Sequence, residues 1–184
     1  MGNSKSQLTK SELQYYKELT YLTESEIQYA FKRFKNLQPR ILNKDKNARI
    51  PVDLIKRMPE FQNNPFKERI CELFSSTNDD TWSFEDFLDM ASVFNTDSPA
   101  DKKAEYAFSI YDGDGDGYLS RGDLKDLINL LTGSDNLDEQ DIDDVIDKVM
   151  DEADIDKDGM LSPGEFKHVI MKCPDFARSF TIRI

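Results

Sequence analysis

Residues 112–123 (DGDGDGYLSRGD) and 154–165 (DIDKDGMLSPGE) follow one twelve-residue plan. Carboxylates stand at positions 1, 3 and 5: Asp112, Asp114 and Asp116 in the first stretch, Asp154, Asp156 and Asp158 in the second. Position 6 is glycine both times, Gly117 and Gly159, where the chain must turn through a conformation that a Cβ atom disfavours. Position 7, Tyr118 or Met160, offers a backbone carbonyl, so its side chain is free to vary. Position 8 is Leu119 or Leu161, which lets the two loops pair through a short β-bridge while their ligands face the ions. Position 9 is Ser120 or Ser162, suited to holding a bound water. An all-oxygen set at this spacing points to hard divalent cations, Ca²⁺ and Mg²⁺.

The flanks carry helical periods. Tyr106, Ala107, Ile110 and Tyr111 lead into the first loop, and Leu124, Leu127, Ile128 and Leu131 follow it. Around the second loop the same roles fall to Ile142, Val145, Ile146 and Val149, then to Phe166, Val169 and Ile170. Ser162 and Pro163 read as a helix N-cap and first turn. Two tandem copies with these flanks make a solvated acidic surface a poor account. Phe108-Ser-Ile-Tyr-Asp112-Gly-Asp114 also resembles a strand running into a phosphoryl-transfer site. That chemistry needs a parallel sheet and further motifs, whereas the periods are helical, so no catalytic residue is expected and the chain is not read as an enzyme.

The loops differ at position 12. Glu165 is long enough to give both oxygens to Ca²⁺, whereas Asp123 is one methylene shorter and more naturally gives one. The first loop is therefore expected to tolerate Mg²⁺ and the second to prefer Ca²⁺.

The net charge of −12 is unevenly spread. Residues 112–165 hold 18 acidic and 4 basic side chains, while residues 1–70 hold 14 basic and 8 acidic ones. This division argues against nucleic-acid binding and for a cation-collecting half beside one that accepts an anionic surface. No apolar run is long enough to span a bilayer, and the first ten residues lack the apolar core of a secretory signal. Cys71 and Cys173 lack metal-type spacing and read as reduced intracellular thiols.

In the N-terminal half, helical segments are expected at 23–37, 64–74 and 84–94, with Thr23 and Glu26 as a capping box. A second loop at 75–86 places Trp82 at position 8 but has Ser75, Thr77 and Asp80 at positions 1, 3 and 6. A first loop at 43–54 places Ile50 at position 8, Ala48 at 6 and Leu54 at 12, with Pro51 inside the expected bridge. The fold class is thus all-α: four EF-hand helix–loop–helix repeats in two lobes, residues 1–97 with degenerate loops and 98–184 with metal loops, joined by short β-bridges.

The N-terminus, Met-Gly-Asn-Ser-Lys-Ser, fits the N-myristoylation pattern, with Gly2 as the acceptor. One acyl chain anchors weakly, and nine basic residues within 31–57 are a candidate second signal. Beyond the last repeat, Phe176, Phe180, Ile182 and Ile184 must cover something. They either border a groove lined by Phe108, Leu124, Leu127, Leu131, Val145, Val149, Phe166 and Ile170, displaceable by a target helix, or pack permanently as core.

These features, with Asn64-Pro-Phe-Lys-Glu-Arg-Ile70, Ser83-Phe-Glu-Asp-Phe87, Glu152-Ala-Asp-Ile-Asp156 and Pro174-Asp-Phe176 ending Ile182-Arg-Ile184, resemble the calcium and integrin-binding protein family, closest to its second and third members. The resemblance implies a myristoylated regulatory adaptor on the cytoplasmic face of the plasma membrane. Its C-terminal lobe would clamp cytoplasmic helices of membrane proteins, integrin α subunits or transmembrane channel-like mechanotransduction channels. The third loop here is richer than those members often show. A calcineurin B-like enzyme subunit would keep ligands in the first two loops, and a Ca²⁺ buffer would not need an acylated end or an apolar tail.

Overall fold

The computed structural model describes residues 7–77, 79–133, 137–173 and 175–182. Gly2, with the rest of the lipidation pattern, and Ile184 lie outside the described residues. The chain forms two compact units, one holding the described residues up to 98 together with Thr181 and Ile182, the other Pro99–Phe180.

In the first unit, α1 (Lys10–Leu19) lies outside the segments expected from the sequence. Thr9 and Glu12 form a reciprocal capping box at its start, and Tyr16, buried, donates its hydroxyl to Glu85 Oε1 at 2.5 Å. Helix α2 (Glu24–Leu37) opens on the Thr23–Glu26 box and turns Ile27, Ala30, Phe31 and Phe34 inward at helical spacing. Short helices α3 (Pro39–Leu42), α4 (Val52–Lys56), α5 (Pro59–Gln62) and α6 (Lys67–Leu73) lead to α7 (Phe84–Val93). Phe84 of α7 meets Phe31 edge-on, with ring centroids 5.0 Å apart, and Phe87 meets Phe34 at 5.5 Å.

Strands β1 (Ile50–Pro51) and β2 (Thr81–Trp82) pair antiparallel, with Ile50 opposite Trp82, so the two position-8 residues meet. Pro51 fits because Val52 N–H makes the next ladder bond, to Asp80 O at 2.9 Å, leaving the proline at a position that donates nothing to the ladder. Asp80 takes the left-handed conformation (φ +56°) that glycine holds in the acidic loops, and aspartate tolerates it better than most residues.

The second unit holds α8 (Ala100–Tyr111), α9 (Arg121–Thr132), α10 (Glu139–Ala153), α11 (Pro163–Ile170) and α12 (Phe176–Ser179). Ala107, Phe108, Leu119, Leu124, Ile142, Ile146, Met150, Leu161 and Phe166 form its core.

Both cysteines are free. Cys71 is buried, which pushes its thiol up to about 12, whereas Cys173 is exposed. A thiol reagent at neutral pH should therefore modify Cys173 rapidly in the native chain and Cys71 only after denaturation. Rapid modification of both native thiols would contradict this packing.

Candidate metal centres

Each acidic loop begins where a helix ends. The N–H of Asp112 closes the last turn of α8 on Phe108 O at 2.9 Å, and that of Asp154 closes α10 on Met150 O at 2.9 Å. The first carboxylate then reaches across the turn. Asp112 Oδ2 accepts from Gly117 N–H at 3.0 Å, and Asp154 Oδ2 accepts from Gly159 N–H at 2.9 Å. Both glycines are left-handed, at φ +88° and +86°, which explains the residue type at position 6.

Between those points the carboxylates organise the backbone locally. Asp114 Oδ1 accepts from Asp116 N–H and Asp116 Oδ1 from Tyr118 N–H, at 3.2 and 2.8 Å. Asp156 Oδ1 accepts from Asp158 N–H and Asp158 Oδ1 from Met160 N–H, at 3.2 and 2.9 Å. Leu119 and Leu161, both buried, exchange two backbone hydrogen bonds of 2.9 Å and tie the loops back to back.

At position 9 the serines start the following helices, as the Ser162-Pro163 pair leads one to expect. Ser120 and Ser162 are helix N-caps whose hydroxyls donate to Asp123 Oδ2 and Glu165 Oε2, at 2.6 and 2.7 Å. Position 12 is thus also the third residue of a capping box, which fixes one carboxylate oxygen against the helix start. The other oxygen turns to the start of the loop: Asp123 Oδ1 accepts from Gly113 N–H at 3.0 Å, Glu165 Oε1 from Ile155 N–H at 2.8 Å.

Two groups of ligand atoms result. Carboxylate oxygens of Asp112, Asp114 and Asp116 lie within 4.8 Å of one another, as do those of Asp154, Asp156 and Glu165. Asp123 and Asp158 are in their loops but outside these close groups. The electrostatics favour a cation. Backbone and hydroxyl donors from Ser162 hold the Glu165 carboxyl down at about 2, so it stays ionised. Desolvation and the neighbouring Asp158, Glu165 and Asp154 charges instead raise Asp156. Among the described residues, Asp154 Oδ1 is buried without a hydrogen-bond partner. An orphaned anionic oxygen at position 1 fits a metal ligand, because leaving it bare is costly and an ion would satisfy it.

The expected groove residues divide. Phe108, Leu124 and Phe166 are buried core, Leu127 is half-buried, and Leu131, Val145 and Val149 are exposed. Ile170, Phe176 and Phe180 are partly buried against the core, with the last two rings stacked at 5.5 Å. Lys103, fully buried on α8, donates from Nζ to Ala177 O of α12 at 2.8 Å, a contact that helical periodicity does not reveal. Ile182 is not with this set. It belongs to the first unit, where its N–H donates to Phe94 O at 3.2 Å and it lines a cavity with Leu22, Ala30 and Ala91. Apolar burial and a satisfied backbone donor account for that placement.

Residues 101–171 match the model of the EF-hand domain pair. Calcium and integrin-binding family member 2 of Drosophila melanogaster is 42% identical, with all of both chains covered. Member 3 and member 2 of Homo sapiens are each 39% identical, again over the full length of both chains. The chain belongs to the calcium and integrin-binding family. Family membership and the all-α EF-hand fold agree with the sequence reading, and members 2 and 3 are among the similar relatives. Among the described residues, Ile50 pairs with Trp82 and Leu119 with Leu161, both antiparallel, and the second, carboxylate-rich pair of loops lies in the matched region.

Proposed function

We propose that the protein is a metal-ordered regulatory adaptor whose second unit binds an amphipathic cytoplasmic helix of a membrane protein, an integrin α subunit or a transmembrane channel-like protein. The bare, buried Asp154 Oδ1 carries the metal part of this reading. Asp112, Asp114, Asp116, Asp123 and the Tyr118 carbonyl would hold one ion, and Asp154, Asp156, Asp158, Glu165 and the Met160 carbonyl the other. A bound Ca²⁺ or Mg²⁺ would supply the positive charge that offsets carboxylate repulsion in the loops. Glu165 joins the close carboxylate group of its loop and Asp123 does not, which supports a Ca²⁺-preferring fourth loop and a Mg²⁺-tolerant third.

The half-buried Phe176 and Phe180 support the partner part. They cover the core only partly and are held by a short helix, so a target helix could take their place, with the exposed Leu131, Val145 and Val149 extending the contact. Membrane attachment through a myristoyl group on Gly2, at the cytoplasmic face of the plasma membrane, belongs to the same reading. Of the nine basic residues in 31–57, Arg33, Lys46, Arg49 and Lys56 are engaged in ion pairs with Glu60, Glu12, Asp86 and Glu68, so any pull on anionic lipid rests mainly on Lys32, Arg40, Lys44 and Arg57.

Titration with a helical peptide of an integrin α cytoplasmic tail, in Ca²⁺ and in chelator, tests the proposal. Binding should require the metal, and deleting residues 175–184 should tighten it about tenfold by removing a competing intramolecular occupant. A deletion that unfolds the second unit would make the tail permanent core. Metal-independent binding, or none to peptides of either client class, would sink the adaptor reading.

A further inference from the structure

The described residues of the second loop, 75–77 and 79–86, keep the turn and exit of an ion-binding loop but not its ligand set. Its position-6 residue, Asp80, is left-handed, as Gly117 and Gly159 are, and its exit helix starts on a capping box between Ser83 and Asp86. Asp86 stands at position 12 and is buried at 5% exposure, where a lone carboxylate would be costly. The charge facing it comes from the neighbouring loop.

Arg49, immediately before β1, sends its guanidinium into the second loop. Nη2 lies 2.9 Å from Asp86 Oδ2, 2.6 Å from the Thr81 carbonyl oxygen and 3.9 Å from Asp79 Oδ1. Nε donates to Thr81 Oγ1 at 2.7 Å and Nη1 to Ser76 Oγ at 3.1 Å. By alignment with the acidic loops, Asp79, Thr81 and Asp86 occupy positions 5, 7 and 12. The corresponding residues there are Asp116, Tyr118 and Asp123, and Asp158, Met160 and Glu165. One Arg nitrogen therefore bonds the position-7 carbonyl and the position-12 carboxylate, with the position-5 carboxylate in ion-pair range at 3.9 Å, the oxygen types that elsewhere would meet an ion.

We propose that Arg49 is the resident cation of the second loop, a guanidinium standing where a divalent ion would otherwise sit. The planar, permanently charged fork suits this role, because it satisfies several oxygens at once and cannot be chelated away. Since Arg49 is adjacent to β1 and its partners lie in and beside β2, the contact also joins the two loops of the first unit. That unit is consequently ordered without metal. Substitution of Arg49 exposes a latent cation site made of Asp79, Thr81 O and Asp86.

The chain's single tryptophan, Trp82, is buried in β2 and reports on this region. The experiment follows thermal unfolding by Trp82 fluorescence and counts Tb³⁺ bound per full-length chain by calorimetry, for the parent, Arg49→Met and Arg49→Met/Asp86→Asn. The parent's Trp82 transition should be the same in chelator and in Tb³⁺. In Arg49→Met it should fall by about 10 °C or more in chelator, because Asp86 is left buried and unpaired. Tb³⁺ should restore it, with one more ion bound per chain than in the parent. The double variant should melt above Arg49→Met in chelator and lose the additional ion. The proposal is overturned if Tb³⁺ shifts the parent's Trp82 transition, or if Arg49→Met gains no ion while folded. If Arg49→Met does not fold, a double variant that folds supports the proposal and one that does not overturns it.

Discussion

Glu165→Gln is expected to weaken Ca²⁺ binding at the fourth loop about a hundredfold while leaving the apo fold in place. The two consequences separate because Glu165 has two duties. One is to face Asp154 and Asp156 with an anionic oxygen, and glutamine cannot supply that charge. The other is to accept from Ser162 at the start of α11, and a side-chain amide oxygen can still do so, as capping boxes use glutamate and glutamine alike. Glu165→Ala removes both, so its apo form should also lose protection at the first turn of α11. Calorimetric Ca²⁺ titration with amide hydrogen exchange checks the pair. Unaltered Ca²⁺ affinity in Glu165→Gln would remove position 12 from the ligand set.

Chelation is expected to divide the chain in two. In excess chelator, exchange protection in α8 to α11 should fall well below its Ca²⁺-loaded level, the apo unit keeping its helices, while the region around Trp82 stays as protected as before. The physical reason is the different cation in each loop pair: Arg49 is covalently present, whereas the acidic loops depend on free ions. Ca²⁺ at a thousand times its dissociation constant should restore about 4 kcal/mol per site, roughly a thousandfold in protection from global opening of the second unit. Mg²⁺ alone should restore part of this. If Mg²⁺ gives nothing over chelator, the proposed Mg²⁺ tolerance of the third loop is wrong. If the first unit loses protection together with the second, independent ordering of the two loop pairs is wrong.

Local chemistry was readable along the chain. Twelve residues contain an entire acidic loop, so carboxylates at alternate positions, a glycine at the turn and a serine cap with its acidic partner can be recognised without knowing what packs on them. The same holds for the capping box at Thr23 and for the pairing of Ile50 with Trp82, because the position-8 register follows from loop length. The serines at position 9 cap the following helices, as the Ser162-Pro163 pair indicates, and their hydroxyls bond the position-12 carboxylates.

Contacts between distant segments were a different matter. Arg49 meets Thr81 across 32 residues and Lys103 meets Ala177 across 74, and neither pairing follows a helical or strand period. From sequence the second loop looked merely degraded, since Ser75 and Thr77 replace aspartates; only the folded chain brings in a positive charge from another loop. Ile182 matched the apolar tail in composition, but the backbone bond to Phe94 O places it in the first unit. The sequence by itself determined the EF-hand fold and the candidate ligands, because those depend on neighbours along the chain. Tertiary structure alone decided which buried charges are neutralised from within and where the tail goes, because each depends on what remote segments leave unsatisfied.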